Sequence, residues 1–176
     1  MDDADLARRI YASAHLTGRF TLRSGAVSEQ YFDKYRFEAD PVLLADIVTA
    51  LAALVPEGID ALAGLELGGI PIVTLLSQRC GLPARFVRKE AKTYGTCQLA
   101  EGGDVEGRRL LIVEDVVTSG GAVIDAIAAL RQLGAQIIGA LCVIDRQAGG
   151  AANLAAEGVE LHPLFTMDEL ERAATG

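Results

Sequence analysis

Leu110-Leu111-Ile112-Val113-Glu114-Asp115-Val116-Val117-Thr118-Ser119-Gly120-Gly121-Ala122 passes from an unbroken apolar run to two carboxylates, two hydroxyls and two glycines. Branched apolar residues without polar alternation read as a strand covered on both faces, the kind found in parallel sheets. Val123, Ile124, Ile127 and Leu130 then continue at helical spacing, with Gly134 closing the helix. A strand, a small-residue loop and a helix therefore follow one another. The bare amides from Thr118 to Ala122, the Thr118 and Ser119 hydroxyls and the positive end of the helix make a cradle for an anion such as a phosphate. No Gly-Lys-Ser/Thr follows and Gly120-Gly121 completes no GxGxxG, so neither a P-loop nor a dinucleotide site is indicated. Carboxylates beside such a cradle repel anions, so Glu114 and Asp115 should face ribose hydroxyls or a developing positive charge. The competing readings are a plain strand cap and the acidic pair of a phospho-receiver. A receiver places that pair near its first strand, whereas here most of the sheet comes earlier.

The same unit recurs on both sides. Ala61–Leu65 is a short apolar strand ending in Glu66-Leu67-Gly68-Gly69-Ile70-Pro71, after which Ile72, Val73, Leu75 and Leu76 fit a helix closing at Gly81. Ala84–Arg88 reads as a strand, Ile137–Ile144 as another ending at Asp145-Arg146, then Ala151–Gly158 as a helix and Val159–Leu164 as a strand. Thr166-Met167-Asp168-Glu169 is a capping box that opens a last helix. Upstream, Leu6, Ile10 and Ala14 mark a helix over Asp2–Ala14. Phe20–Arg23 and Tyr31–Tyr35 read as a hairpin about Ser24-Gly25. Asp40-Pro41 opens a helix with Leu43, Leu44, Ile47, Val48, Leu51 and Leu54 that stops near Pro56. The expected class is α/β, a mostly parallel central sheet flanked by helices with a small N-terminal hairpin, and its ligand belongs outside the carboxyl ends of the strands.

With 176 residues, 51% of them hydrophobic, the chain suits one domain, residues 1–176, divided into an N-terminal helix and hairpin over 1–40 and a core over 41–176. Sixteen basic against twenty-four acidic residues give a net charge of −8, which argues against a broad basic face for nucleic acid. No apolar run reaches the roughly 18 residues of a membrane helix, and the acidic start Met1-Asp2-Asp3-Ala4-Asp5 is unlike a secretory signal, so a cytoplasmic protein is expected. Cys80, Cys97 and Cys142 are too widely spaced for a disulfide framework or a CxxC metal site. The nineteen glycines matter where they meet ligand loops.

Two further signals accompany the first. Gly68-Gly69, at a strand end, could serve a second anion subsite, which suggests a substrate with two separated phosphates; an ordinary strand-to-helix turn is the alternative. Arg85, Arg88, Lys89 and Lys92 crowd positive charge ahead of a glycine-bearing segment reaching residue 107. Long segments of this kind in compact domains tend to be active-site lids, whereas a solvated charge run is the plain reading.

Together the run from Leu110 to Ala122 resembles the phosphoribosyl diphosphate (PRPP) signature of the type I phosphoribosyltransferases. Phe20–Gly25 with Ser28 and Tyr31-Phe32-Asp33, then Gly68-Gly69-Ile70-Pro71, Arg88-Lys89-Glu90-Ala91-Lys92 and Asp145-Arg146-Gln147 are similar to the orotate-using family within that class. The resemblance implies the type I phosphoribosyltransferase fold with its hairpin as a hood. It also implies transfer of a 5-phosphoribosyl group from PRPP to orotate in pyrimidine biosynthesis.

On that resemblance Glu114 and Asp115 hold the ribose hydroxyls and stabilise a ribosyl cation, Thr118 to Ala122 bind the 5-phosphate, and Val116, Val117, Tyr94, Gly68 and Gly69 join the PRPP site. Arg88, Lys89 and Lys92 grip diphosphate. Lys92, counted with the catalytic residues, lies on a flexible loop of about residues 91–107 that reaches into the partner subunit of a homodimer. Arg23, Tyr31, Phe32, Thr118 and Arg146 contact orotate, whose carboxylate suits a guanidinium fork. Mg²⁺ arrives with the diphosphate, bound through substrate oxygens and water and directly by no protein residue. His15 and His162 are structural, and neither nucleic acid nor membrane is a partner. The chain departs from family patterns at Leu67-Gly68, where some members carry Tyr-Lys, at Tyr94, where others carry His, and at Arg23, often Lys. The alternatives are a type I phosphoribosyltransferase acting on a purine or uracil, and a non-catalytic PRPP-sensing regulator with this fold.

Overall fold

Leu110, Leu111, Ile112 and Val113 have no exposed surface, because their strand lies in the middle of a sheet with helices on both faces. The structure is a computed structural model that describes residues 2–21, 25–90 and 99–176. Its elements are α1 (Asp3–Ala14), β1 (His15–Thr21), β2 (Val27–Phe32), α2 (Tyr35–Ala39), α3 (Pro41–Ala52), β3 (Ala61–Leu65), α4 (Gly69–Cys80) and β4 (Ala84–Val87). They continue as β5 (Ala100–Glu101), β6 (Arg109–Val117), α5 (Gly121–Gln132), β7 (Gln136–Asp145), α6 (Gly150–Ala156), β8 (Leu161–Thr166) and α7 (Met167–Thr175). Six strands form one sheet in the order β5-β4-β3-β6-β7-β8, and β1 and β2 form a separate antiparallel pair. Within the large sheet β5 alone runs antiparallel to its neighbour.

Alternate residues of β6 serve two cores. Leu111 and Val113 pack with Leu6, Ile10, Phe37, Ile47, Leu51 and Ile72 on the face that carries α1 to α4. Leu110 and Ile112 pack with Val123, Ile127, Leu130 and Leu154 on the face that carries α5 and α6. Helix ends follow the expected chemistry. The Asp40 carboxylate accepts from the amides of Val42 and Leu43, both at 3.0 Å, with Pro41 in the first turn, and Gly81 closes α4 with φ at +69°.

The capping box is complete: Thr166 Oγ1 accepts from the Glu169 amide at 3.3 Å and Glu169 Oε2 accepts from the Thr166 amide at 2.7 Å. These bonds, the backbone one foremost, hold the Glu169 carboxyl below its usual range. Thr166→Ala is expected to cost about 1 kcal/mol of stability, read as a lower urea midpoint.

The structure differs from the sequence reading in three places. The first hairpin strand starts at His15, directly after α1, and the second runs from Val27 only to Phe32. Most of this hairpin is exposed on both faces, so little period-2 pattern marks its bounds. Tyr35, expected in the strand, begins α2, because the chain turns as the Arg36 amide donates to the Asp33 carbonyl at 3.2 Å. The two residues of β5 pair Phe86 with Glu101 and Val87 with Ala100. A strand that short leaves no periodicity to read.

Candidate active site

Strand order creates the crevice. The chain leaves β3 toward β4 on one side and leaves β6 toward β7 on the other, so the carboxyl ends of β3 and β6 flank the point where the connections diverge. Open α/β sheets place their ligands at such a point. The loops Glu66-Leu67-Gly68 and Thr118-Ser119-Gly120 both lie there.

Glu114 and Asp115 end the buried part of β6 with 9% and 0% exposure. As successive strand residues they project to opposite faces. The Asp115 amide donates to Glu114 Oε1 at 2.9 Å, and the Val116 amide donates to Asp115 Oδ1. Asp115 Oδ2 meets Lys34 Nζ at 2.6 Å, and a Cβ on Gly68 would stand 1.5 Å from that same oxygen. Gly68 is therefore required for the loop to close over the carboxylate. Gly69 has a packing reason of its own, since its Cβ would stand 2.5 Å from the Val113 carbonyl oxygen.

Glu38, from α2, joins the cluster at 9% exposure. Burial, then the neighbouring Asp115 carboxylate, pushes its carboxyl up to about 9. Burial, followed by the Asp115 charge, pushes Glu114 up to about 8. Burial lowers the Lys34 ammonium, but the hydrogen bond and charge of Asp115, with Glu114 adding, raise it on balance. Both raised carboxyls keep a proton in the fold that the unfolded chain releases near 4.5. The native state then binds more protons, so this stabilisation is complete in acid and is lost as pH climbs through about 8 and about 9. The urea midpoint is expected to drop between pH 6 and pH 9.5, and Glu38→Gln to flatten that slope.

Arg88 and Lys89 leave the end of β4 next to the crevice. The Arg88 amide donates to the Leu99 carbonyl at 2.9 Å, and the Lys89 amide donates to Glu66 Oε1 at 2.6 Å, so the β3–α4 loop sets where this basic segment starts. Arg88, Lys89, Glu66, Glu114, Ala122 and Asp125 line one pocket. Arg85 is not among its lining residues: its guanidinium donates to the carbonyls of Asp104 and Ala84 at 3.2 and 3.0 Å and braces the segment before β6. The cluster of basic residues is thus divided, with Arg85 in a structural role. Lys92, Tyr94 and Arg23 lie outside the described residues.

At the phosphate cradle, Thr118, Ser119, Gly121 and Ala122 are exposed and Gly120 takes a left-handed φ of +79° that favours glycine. No side chain caps α5, which leaves its first amides for a ligand. Asn153 of α6 holds the loop by donating from Nδ2 to the Ser119 carbonyl at 2.9 Å. Val117 is buried in the core and Val116 half-buried. The Val117 carbonyl is already taken by the Arg146 amide at 2.9 Å.

Tyr31, Phe32 and Arg146 share a second pocket with Tyr11 and His15. The Arg146 guanidinium carbon lies 6.0 Å from the centre of the Phe32 ring. Gln147, at φ +57°, steadies this corner: its amide donates to Asp145 Oδ1 at 2.8 Å, and its side chain exchanges hydrogen bonds with Asp168 at 3.3 and 3.1 Å. Sequence reasoning missed Lys34, Glu38, Asn153 and Gln147. Lys34 and Glu38 stand four residues apart, a helical spacing hidden by the strand assigned to Tyr31–Tyr35. Among the described residues no group of three or more His, Cys, Asp or Glu side chains is placed to hold a metal ion, and no helix is long and apolar enough to cross a membrane.

Comparison with known proteins agrees with this geometry. Residues 38–161 match the model of the phosphoribosyl transferase domain. The chain is 54% identical over 171 residues to an orotate phosphoribosyltransferase of Nocardioides sp., covering 97% of this chain and 96% of that one. The crystal structure of orotate phosphoribosyltransferase from Aeropyrum pernix superposes with a TM-score of 0.83 at 32% identity, covering 97% of this chain and 99% of that one. The Mycobacterium tuberculosis enzyme crystallised with PRPP gives a TM-score of 0.83 at 29% identity, with the same coverage. Because its sheet order, its acidic strand end and its glycine-bearing loop all occur in a chain matched along nearly its whole length, this protein belongs to the phosphoribosyl transferase family and, within it, to the orotate phosphoribosyltransferases.

Proposed function

We propose that the chain transfers the 5-phosphoribosyl group of PRPP to orotate, giving orotidine 5-phosphate and diphosphate in pyrimidine biosynthesis. The observation that carries this reading is the crevice at the ends of β3 and β6, with an acidic strand end between an uncapped helix start and a basic segment. The names of the relatives support the choice of base. In the reaction the bond from ribose carbon 1 to diphosphate breaks with its electron pair on the departing oxygen. Orotate N1 forms the new bond and its proton passes to water.

Positive charge builds on the ribosyl carbon, and Glu114 and Asp115 stabilise it from fixed positions, the kind of electrostatic preorganisation that dominates many enzymes. Glu114, which holds a proton up to about 8 in the free chain, is favoured in its ionised form once a positive charge stands beside it. The amides from Thr118 to Ala122 hold the 5-phosphate, while Arg88, Lys89 and Lys92, with Tyr94 and the Gly68-Gly69 backbone, receive the diphosphate. Arg146, Arg23, Thr118 and the Tyr31-Phe32 backbone orient orotate. Lys92 acts from a loop shared across a homodimer, and the enzyme works in the cytoplasm.

On this reading Mg²⁺ is carried in on the diphosphate of the substrate, into the pocket that Arg88 and Lys89 line. When bound, the ion neutralises the leaving diphosphate. The test is loss of orotate absorbance in the presence of PRPP and Mg²⁺, run beside adenine, hypoxanthine, guanine and uracil. Turnover with orotate alone is expected, and turnover only with another base, or with none, overturns the reading.

A further inference from the structure

The corner Asp33-Lys34-Tyr35-Arg36-Phe37-Glu38 connects the hairpin to the core. Phe37 is wholly buried and anchors α2, and Lys34 and Glu38, four residues apart, fall on one side of it. Lys34 reaches Asp115: its Nζ lies 2.6 Å from Asp115 Oδ2, with 33% of the lysine side chain exposed and none of the aspartate. The Glu38 carboxyl is buried near the same charge, which with burial favours its protonated form. Asp115 Oδ1 accepts the Val116 amide, and Gly68 closes against Oδ2.

Among the described residues Lys34, the Val116 amide and Gly68 surround this carboxylate. A carboxylate with no exposed surface has no solvent to reorient in, and its alignment to a ribosyl cation is set by what surrounds it. The cation that pairs it comes from the hood corner rather than from the sheet, so the hairpin that offers Tyr31 and Phe32 to the base also orders the acidic strand end.

We propose that Lys34 is a positioning residue for phosphoribosyl transfer, holding the Asp115 carboxylate aligned with the reacting carbon through an ion pair. The inference rests on the reaction proposed above. Lys34 supplies a charge and is not required to touch PRPP. A misplaced group near the reacting atoms costs rate more than affinity, at about 10²-fold for a shift of about 1 Å.

The experiment measures kcat and KM with orotate, together with calorimetric PRPP affinity, for the wild type and for Lys34→Met and Lys34→Arg. Lys34→Met is expected to lose about 10²-fold in kcat, with PRPP affinity unchanged within about threefold, and Lys34→Arg to recover most of that loss because it restores the charge. If Lys34→Met does not fold, Lys34→Gln carries the same comparison. Wild-type kcat in the uncharged variants overturns the inference. Loss of PRPP affinity at unchanged kcat overturns it too, by making Lys34 a substrate contact. If the wild type uses another base, the orotate reading fails while the variant ratios, measured on that base, still decide this one; a wild type inert with every base overturns both.

Discussion

Asp115→Asn is expected to lower kcat/KM for PRPP and orotate by about 10²–10³-fold, the usual cost of removing one preorganised electrostatic contact from a transition state. The amide has nearly the volume of the carboxylate and can still accept the Val116 amide, so the strand end keeps its shape. What it lacks is charge. The ribosyl cation loses a buried negative partner, and Lys34, only 33% exposed, loses its counter-ion at 2.6 Å. Breaking a fully buried pair costs 3–5 kcal/mol; with the ammonium partly in solvent about 1–3 kcal/mol is expected in urea denaturation. Steady-state kinetics decides the catalytic part: an unchanged kcat/KM removes this carboxylate from the mechanism.

Arg146→Ala is expected to reduce kcat/KM for orotate by about 10²–10⁴-fold, because on the proposed reading two charge-assisted hydrogen bonds to the orotate carboxylate, each contributing about 1.5–3 kcal/mol, are lost together. The effect should fall on the orotate KM and leave PRPP affinity intact, since Arg146 opens from the β7 end while the phosphate loop is held separately by Asn153. Arg146→Lys restores the charge without the planar fork and should recover only part of the loss. PRPP affinity falling in parallel with orotate affinity would show that Arg146 serves both substrates.

The parts of this molecule that could be read from the chain share one property: their chemistry is written in neighbouring residues. The strand from Leu110, its acidic end and the glycine-bearing turn occur in one uninterrupted run, and local sterics and helix geometry suffice to place them. The same holds for the Asp40-Pro41 cap and the Thr166–Glu169 box. The N-terminal hairpin was legible only in outline, since an exposed pair of strands has no buried face to impose a register. The two residues of β5 are below the length at which any period exists.

By itself the amino-acid sequence determined the α/β class, the glycine-bearing turn into α5, the acidic strand end and the family, because each depends on contiguous residues or on the order of motifs along the chain. Tertiary structure alone decided that Lys34 closes on Asp115 from a distant part of the chain, that Arg85 braces a loop instead of facing the crevice, and that Gly68 is needed as much for packing as for any ligand. The reason is physical. A buried charge takes its partner from whatever element the packing of apolar faces brings beside it, and that packing joins residues whose separation along the chain carries no signal of their contact.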